Sequence, residues 1–145
     1  MTQFVEIEKR LGPDGRVAVV RFDRKDGINA LSPEALRQLT TAARSFDDDG
    51  ETSVVVLTGS ARAFSAGFDL KDSEGRSRQK MDIGGLRRHL RLGPRLTEAW
   101  HHMSKSRSAR SRGFASAAAW HWLSRWIFAS WRATPIYGYP KLGSA

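Results

Sequence analysis

Hydrophobic residues in the first part of the chain form β-type runs on either side of a helix-type run. Residues 17–23 (VAVVRFD) and 53–58 (SVVVLT) are rich in β-branched residues, and the turn signal Gly-Pro-Asp-Gly at 12–15 precedes the first run. An earlier run at 4–7 is expected to pair with the first one as a hairpin. The run at 53–58 lacks polar alternation, which predicts a strand covered on both faces.

Residues 32–46 carry the pattern of an amphipathic helix. Ser32-Pro33-Glu34 supplies an N-cap hydroxyl, a proline at the first helical position and an acid near the positive end of the helix dipole. The apolar residues that follow at spacings of three and four are Leu36, Leu39, Ala43 and Phe46. A strand, a helix and a second buried strand predict a right-handed βαβ unit with a parallel pair of strands, and therefore an α/β fold.

Residues 59–70, after the second strand, are small or glycine at many positions. A buried strand that leads into a glycine-containing loop is a common ligand site, because the loop presents backbone N–H groups. The pattern alone favours an ordinary tight turn over a ligand-binding loop. Residues 73–80 are polar and are expected to be mobile, and apolar positions between 81 and 103 predict one or two amphipathic helices interrupted near Gly93-Pro94.

Composition sets broad limits on the class of protein. The 145 residues include no cysteine, which excludes disulfides and thiolate chemistry and favours a reducing, cytoplasmic setting. The N-terminus has no basic region followed by an apolar run, so no signal peptide is expected. No stretch approaches the ~18 apolar residues of a membrane span. We therefore expect a cytoplasmic protein with one core.

The formal net charge of +9 is unevenly distributed. The last acidic residue is Glu98, and residues 105–145 contain seven basic residues, no acidic ones and four of the five tryptophans. Arg107, Arg110 and Arg112 among serines are typical of an arginine/serine-rich segment. One hypothesis is therefore a basic-tail protein that binds nucleic acid or an anionic surface without enzymatic activity. So abrupt a change also predicts a boundary between residues 1–104 and residues 105–145.

Three segments resemble, in order and spacing, the enoyl-CoA hydratase/isomerase (crotonase) family. They are Asn29-Ala30-Leu31-Ser32 before the helix, the strand VVVLTG, and the loop at 63–70 (AFSAGFDL). The resemblance covers residues 17–71 closely and extends loosely to Ser104. It implies a β-α spiral fold, an acyl-CoA thioester as partner and substrate, no permanently bound cofactor and no metal. Family members form homotrimers through C-terminal helices, an assembly that residues 105–145 put in doubt.

The resemblance also implies a site. The backbone N–H of Phe68 matches the first donor of the family's oxyanion hole, which stabilises the negative charge that develops on a thioester oxygen. The backbone of Ser65 and Ala66 would hold the adenine of coenzyme A. The turn Asp26-Gly27-Ile28, with Ala30, would line the pantetheine and nucleotide. The remaining residues implied to bind CoA or substrate are Ala63, Gly67, Asp69 and Leu70.

Residues 105–145 lack the parts that the family carries there. The second oxyanion donor comes from a Gly-Gly-Gly segment and the acid/base carboxylates follow it, whereas this chain has neither after Glu98. Back-translating residues 105–145 and reading one base earlier allows a sequence with GGGVALA and PEIGLG in the family's order. We therefore expect a frameshift near Lys105, a truncated spiral with only its first half encoded, and impaired catalysis. GGGVALA has no glutamate after the glycines, so double-bond isomerisation fits the in-frame parent as well as hydration does.

Other candidate residues favour structural interpretations. The adjacent His101 and His102 point to different helix faces and lack a third ligand at zinc spacing. Residues 47–49 (DDD) lack EF-hand spacing and are expected to form a solvated loop. Asp69 is expected to be structural, not a general base. A further hypothesis is that half a spiral exposes apolar strands and aggregates.

Overall fold

The computed structural model describes residues 2–69, 82–110 and 114–115. Leu70, the polar segment at 73–80 and residues 116–145 therefore lie outside the described residues. The elements, in chain order, are β1 (Val5–Leu11), β2 (Val17–Phe22), α1 (Pro33–Arg44), β3 (Val54–Thr58), β4 (Ala63–Ser65), α2 (Ile83–Leu90), α3 (Leu92–His102), β5 (Ser106–Arg110) and β6 (Phe114–Ala115).

Two sheets organise the described residues. The first has the order β1-β2-β3-β5, with β1 antiparallel to β2 and the other pairs parallel. The second pairs β4 with β6 in parallel. After the hairpin, each pass of the chain adds one strand to the first sheet and then one to the second. This arrangement is a β-α spiral, and it confirms the predicted hairpin and parallel pair.

The first helix forms as its sequence pattern predicts. Oγ of Ser32 accepts a hydrogen bond from the Ala35 N–H at 3.2 Å, and Pro33 occupies the start of the helix. Leu36, Leu39, Ala43 and Phe46 are all buried. On β3, by contrast, Val55 and Leu57 are buried while Val54 and Val56 are only half-buried, so the prediction of full coverage holds for one face.

The predicted interruption between two helices is present. Helix α2 ends at Leu90 and α3 begins at Leu92, so the break is at Arg91, close to Gly93-Pro94. Pro94 fits in the first turn of α3 because the N–H groups of that turn have no partner within the helix. Trp100 of α3 is fully buried against α1, and its Nε1–H donates to the Leu39 carbonyl at 3.2 Å.

Strand β5 lies within the segment that the sequence separates as a tail. Its residues pair with β3 in the register Val54↔Ser106 to Thr58↔Arg110. The pairing begins with a hydrogen bond from the Ser106 N–H to the Ser53 carbonyl at 3.1 Å. The change in composition therefore coincides with the turn between α3 and β5, and the chain continues into the sheet for at least one strand.

The acidic loop after α1 is not uniformly solvated, which corrects the expectation for residues 47–49. Asp47 and Asp48 are exposed, but the Asp49 side chain is only 9% exposed and lies 2.6 Å from Nζ of Lys9. Asp49 also accepts hydrogen bonds from the N–H groups of Glu51 and Thr52. The Lys9 ammonium, with these donors, holds the pKa of Asp49 well below its usual range. The loop is therefore a turn that the Asp49 side chain holds in place.

Candidate functional site

The loop that follows β3 turns back sharply at Gly59. A Cβ at this position would lie 2.5 Å from Cα of Phe64 and 2.7 Å from the Ala63 carbonyl oxygen, so only glycine fits. Oγ of Ser60 closes the turn by accepting from the Ala63 N–H at 3.1 Å. This tight turn leads directly into β4, and residues 66–69 follow it.

A second loop, between β2 and α1, meets the first one. Oδ1 of Asp26 accepts hydrogen bonds from the N–H groups of Ile28 at 3.0 Å and Asn29 at 2.7 Å. Gly27 has a φ of +77°, a conformation that suits glycine. The turn therefore has a fixed shape, although Ile28 at its tip is 58% exposed.

Three backbone hydrogen bonds join the two loops. The Ala66 N–H donates to the Ile28 carbonyl at 2.9 Å, and the Leu31 N–H donates to the Gly67 carbonyl at 2.7 Å. The Asp69 N–H donates to the Leu31 carbonyl at 3.1 Å, which completes an isolated parallel bridge between Leu31 and Phe68. The residues predicted from resemblance on the two loops thus come together, except Leu70, which lies outside the described residues.

The geometry of this bridge determines where the Phe68 amide points. In a trans peptide the C=O and the following N–H point in opposite directions. Because the Gly67 carbonyl faces Leu31, the Phe68 N–H faces away from it. Among the described residues, none accepts a hydrogen bond from this N–H. Phe68 as a whole residue is 55% exposed.

Asn29 supports both loops, a role that the sequence did not reveal. It is buried with a φ of +56°, and its Nδ2 donates to the carbonyls of Phe22 at 2.7 Å and Phe64 at 3.0 Å. Its Oδ1 accepts from the Arg24 N–H at 2.9 Å. Asn29 belongs to the motif that carries the family resemblance, and that was the one available signal.

Arg24 is the second residue that sequence reasoning missed. Its NH1 lies 2.6 Å from Oδ2 of Asp69 and 3.0 Å from the Ala30 carbonyl oxygen, and its Nε lies 3.2 Å from Oδ2 of Asp26. The Asp69 carboxylate is therefore held by a guanidinium. In the sequence nothing separates Arg24 from the many other arginines of a basic chain.

The described part of the chain offers no metal centre, since no three potential ligand side chains group together there. No helix in those same ranges is long and apolar enough to cross a membrane. His101 and His102 are exposed at the end of α3. Fold and site together define an α/β spiral protein whose candidate site is built from backbone amides on two joined loops.

Comparisons with known proteins agree with an α/β spiral protein. The family model for enoyl-CoA hydratase/isomerase matches residues 13–91. A probable enoyl-CoA hydratase of Mycobacterium tuberculosis is 39% identical over 59 residues, which are 41% of this chain and 23% of that protein. The mitochondrial enoyl-CoA hydratase of Pongo abelii is 32% identical over 77 residues, which are 53% of this chain and 26% of that protein.

Solved structures give the same result for the fold. The structure of a putative enoyl-CoA hydratase from Streptomyces coelicolor has a TM-score of 0.68 at 26% identity and covers 81% of this chain and 41% of that one. Pseudomonas aeruginosa AtuE has a TM-score of 0.72 at 22% identity, with 86% and 46% covered. The chain belongs to the enoyl-CoA hydratase/isomerase family and has its crotonase fold. The match spans about a quarter of the curated relatives and under half of these solved chains.

Proposed function

We propose that this chain binds an acyl-CoA thioester across the two joined loops, with the Phe68 N–H donating a hydrogen bond to the thioester carbonyl oxygen. The observation that carries the proposal is the Phe68 amide, which belongs to an exposed residue and has no acceptor among the described residues. Family membership supplies the substrate class. A fixed N–H dipole stabilises charge on oxygen because it needs no reorganisation as the charge develops.

The surrounding residues would contact the coenzyme A portion. Asp26, Gly27, Ile28 and Ala30 form the turn on one side, and the buried Ala63 and Ser65 anchor the loop on the other. Ser65 Oγ accepts from the Gly67 N–H at 3.1 Å, which stiffens the loop just before the donor. Coenzyme A would enter only as part of the thioester, and no permanently bound cofactor is proposed.

We also propose that the chain is catalytically impaired. An oxyanion hole needs two donors, and the Gly-Gly-Gly segment expected to supply the second is not found in residues 105–145. Loss of one donor typically raises the barrier by about 2.7–4 kcal/mol. The out-of-frame interpretation of these residues explains the missing segment and the missing carboxylates together. The cytoplasmic location and the doubt about a homotrimer stay predictions from the sequence.

Calorimetric titration of the full chain tests the proposal. We expect a 2-enoyl-CoA to bind, to bind more tightly than free coenzyme A, and to undergo no measurable hydration or isomerisation. Absence of binding would overturn the proposed function, whereas rapid turnover would overturn only the proposed impairment. Removing residues 116–145, which keeps β6 paired with β4, provides a second test, because binding at the two loops should survive that deletion. Binding that disappears with the deletion and weakens steeply with salt would instead favour the basic tail.

A further inference from the structure

The guanidinium of Arg24 is the one side-chain group that contacts both loops of the candidate site through charged partners in the described part of the chain. It reaches Asp26 on the β2–α1 loop and Asp69 on the β4 loop. The Arg24 and Asp69 side chains are 21% and 13% exposed. A partly buried, charge-assisted hydrogen bond of 2.6 Å is stronger and more directional than an ordinary surface ion pair.

Asp69 transmits this contact to the donor because it follows Phe68 directly. Its side chain is held by Arg24 and its N–H by the Leu31 carbonyl, so the peptide plane after Phe68 is fixed. The plane before Phe68 is fixed by the bond from the Leu31 N–H to the Gly67 carbonyl. Both planes that flank Phe68 are therefore constrained, and Arg24 supplies the charged constraint.

Arg24 also contacts the β2–α1 turn at residues 26–28 through its Nε. Asp26 uses Oδ1 for the N–H groups of Ile28 and Asn29 and offers Oδ2 to Nε of Arg24. NH1 of Arg24 also donates to the Ala30 carbonyl. Three partners at three angles suit the planar fork of arginine, whereas a lysine ammonium on its flexible stem cannot reach all three in the same geometry.

We infer that Arg24 is a positioning residue. Through Asp69 it orients the Phe68 N–H, and through Asp26 it fixes the position of that donor relative to the β2–α1 turn, which is proposed to contact coenzyme A. The inference rests on the proposed function for its ligand but not for its geometry. Arg24 itself touches no reacting atom in this assignment. Arg24 acts by fixing the direction of the Phe68 N–H dipole, and polarisation of the thioester carbonyl depends steeply on that direction.

Two measurements on the full chain test this role with the variants Arg24→Lys, Asp69→Asn and the double variant. The first is the absorption of 4-(dimethylamino)cinnamoyl-CoA at saturating protein, because a hydrogen bond to its carbonyl shifts the band to longer wavelength. The second is the residual dipolar coupling of the Phe68 N–H in the protein without ligand, which reports the direction of that bond. Arg21→Lys is the matched control, since Arg21 forms an exposed pair with Glu8 at 4.0 Å.

We expect both single variants to lose most of the red shift and to change the Phe68 coupling, and the preference for acyl-CoA over coenzyme A to fall about tenfold. The double variant should lose no more of the red shift than the poorer single variant, because both substitutions break the same Arg24–Asp69 contact. Additive losses, or a Phe68 coupling unchanged from wild type, would overturn the inference. If the couplings change as expected but wild type binds no thioester, the positioning role stands and the proposed function fails.

Discussion

Leu31 and Phe68 form an isolated parallel bridge, and that bridge turns the Phe68 N–H away from Leu31. Leu31 uses its N–H and its carbonyl on the residues that flank Phe68, at 2.7 and 3.1 Å. The direction of the Phe68 N–H is therefore set by the hydrogen bonds of its neighbours Gly67 and Asp69. We expect an amide held in this way to act as an oriented donor toward a ligand.

Replacing Phe68 with proline should remove the donor while costing no hydrogen bond among the described residues. We expect Phe68→Pro to reduce the preference for an acyl-CoA over coenzyme A about tenfold, the factor of one hydrogen bond to a partly charged acceptor. Phe68→Ala keeps the N–H and should lose much less. Titration calorimetry of both variants, with circular dichroism to check folding, makes the comparison. Equal losses in the two variants would assign the effect to the ring instead of the amide.

Asn29 should contribute more to stability than any other polar residue on the two loops. In Asn29→Ala the carbonyls of Phe22 and Phe64 lose their donor, and alanine is strained at a φ of +56°. We expect a loss of about 2–3 kcal/mol in the free energy of unfolding, measured by urea titration. Asn29→Gly tolerates the positive φ and so isolates the lost hydrogen bonds. A glycine variant as stable as wild type would show that the hydrogen bonds contribute little.

Gly59 should be intolerant of any side chain. The new Cβ of Gly59→Ala would overlap the backbone of Phe64 and Ala63, which cannot move without shifting β4. We expect a destabilisation of about 1–3 kcal/mol together with weaker thioester binding. Gly50→Ala is the control, because a Cβ at that position meets nothing within 4 Å, and it should stay within about 0.5 kcal/mol of wild type. Similar melting temperatures for the two variants would contradict the assignment.

Asp49 should make the stability of the chain depend on pH in the acid range. The Lys9 ammonium lowers the pKa of Asp49 in the folded state, so the folded chain binds this proton less readily than the unfolded chain. The contribution is therefore fully present above the ordinary carboxylate pKa of about 3.9 and is lost as the pH falls below it. Urea titrations of wild type and Asp49→Asn should converge as the pH is lowered. A difference between the two proteins that stays constant as the pH is lowered would contradict this assignment.

Sequencing the coding DNA across codons 100–110 tests the out-of-frame interpretation directly. We expect that restoring one register there opens a long frame with the glycine-rich and PEIGLG-like segments. The restored protein should turn over a 2-enoyl- or 3-enoyl-CoA that the 145-residue chain does not. A register that meets early stop codons, or a restored protein without family segments, would contradict the frameshift.

The sequence by itself determined the first hairpin, the βαβ unit and the family. Alternating and helical spacing, with the cap at Ser32 and Pro33, defined the βαβ unit because these signals act within a few residues. The loop motif, through the family resemblance, also predicted Phe68 as the first oxyanion donor, and that role stays a prediction. Only the tertiary structure showed that Asn29 and Arg24 hold the two loops together. It also showed that Asp49 forms an ion pair with Lys9 and that residues 106–110 add a strand to the first sheet. Each of these depends on partners distant in sequence, whose distances and directions local patterns do not specify.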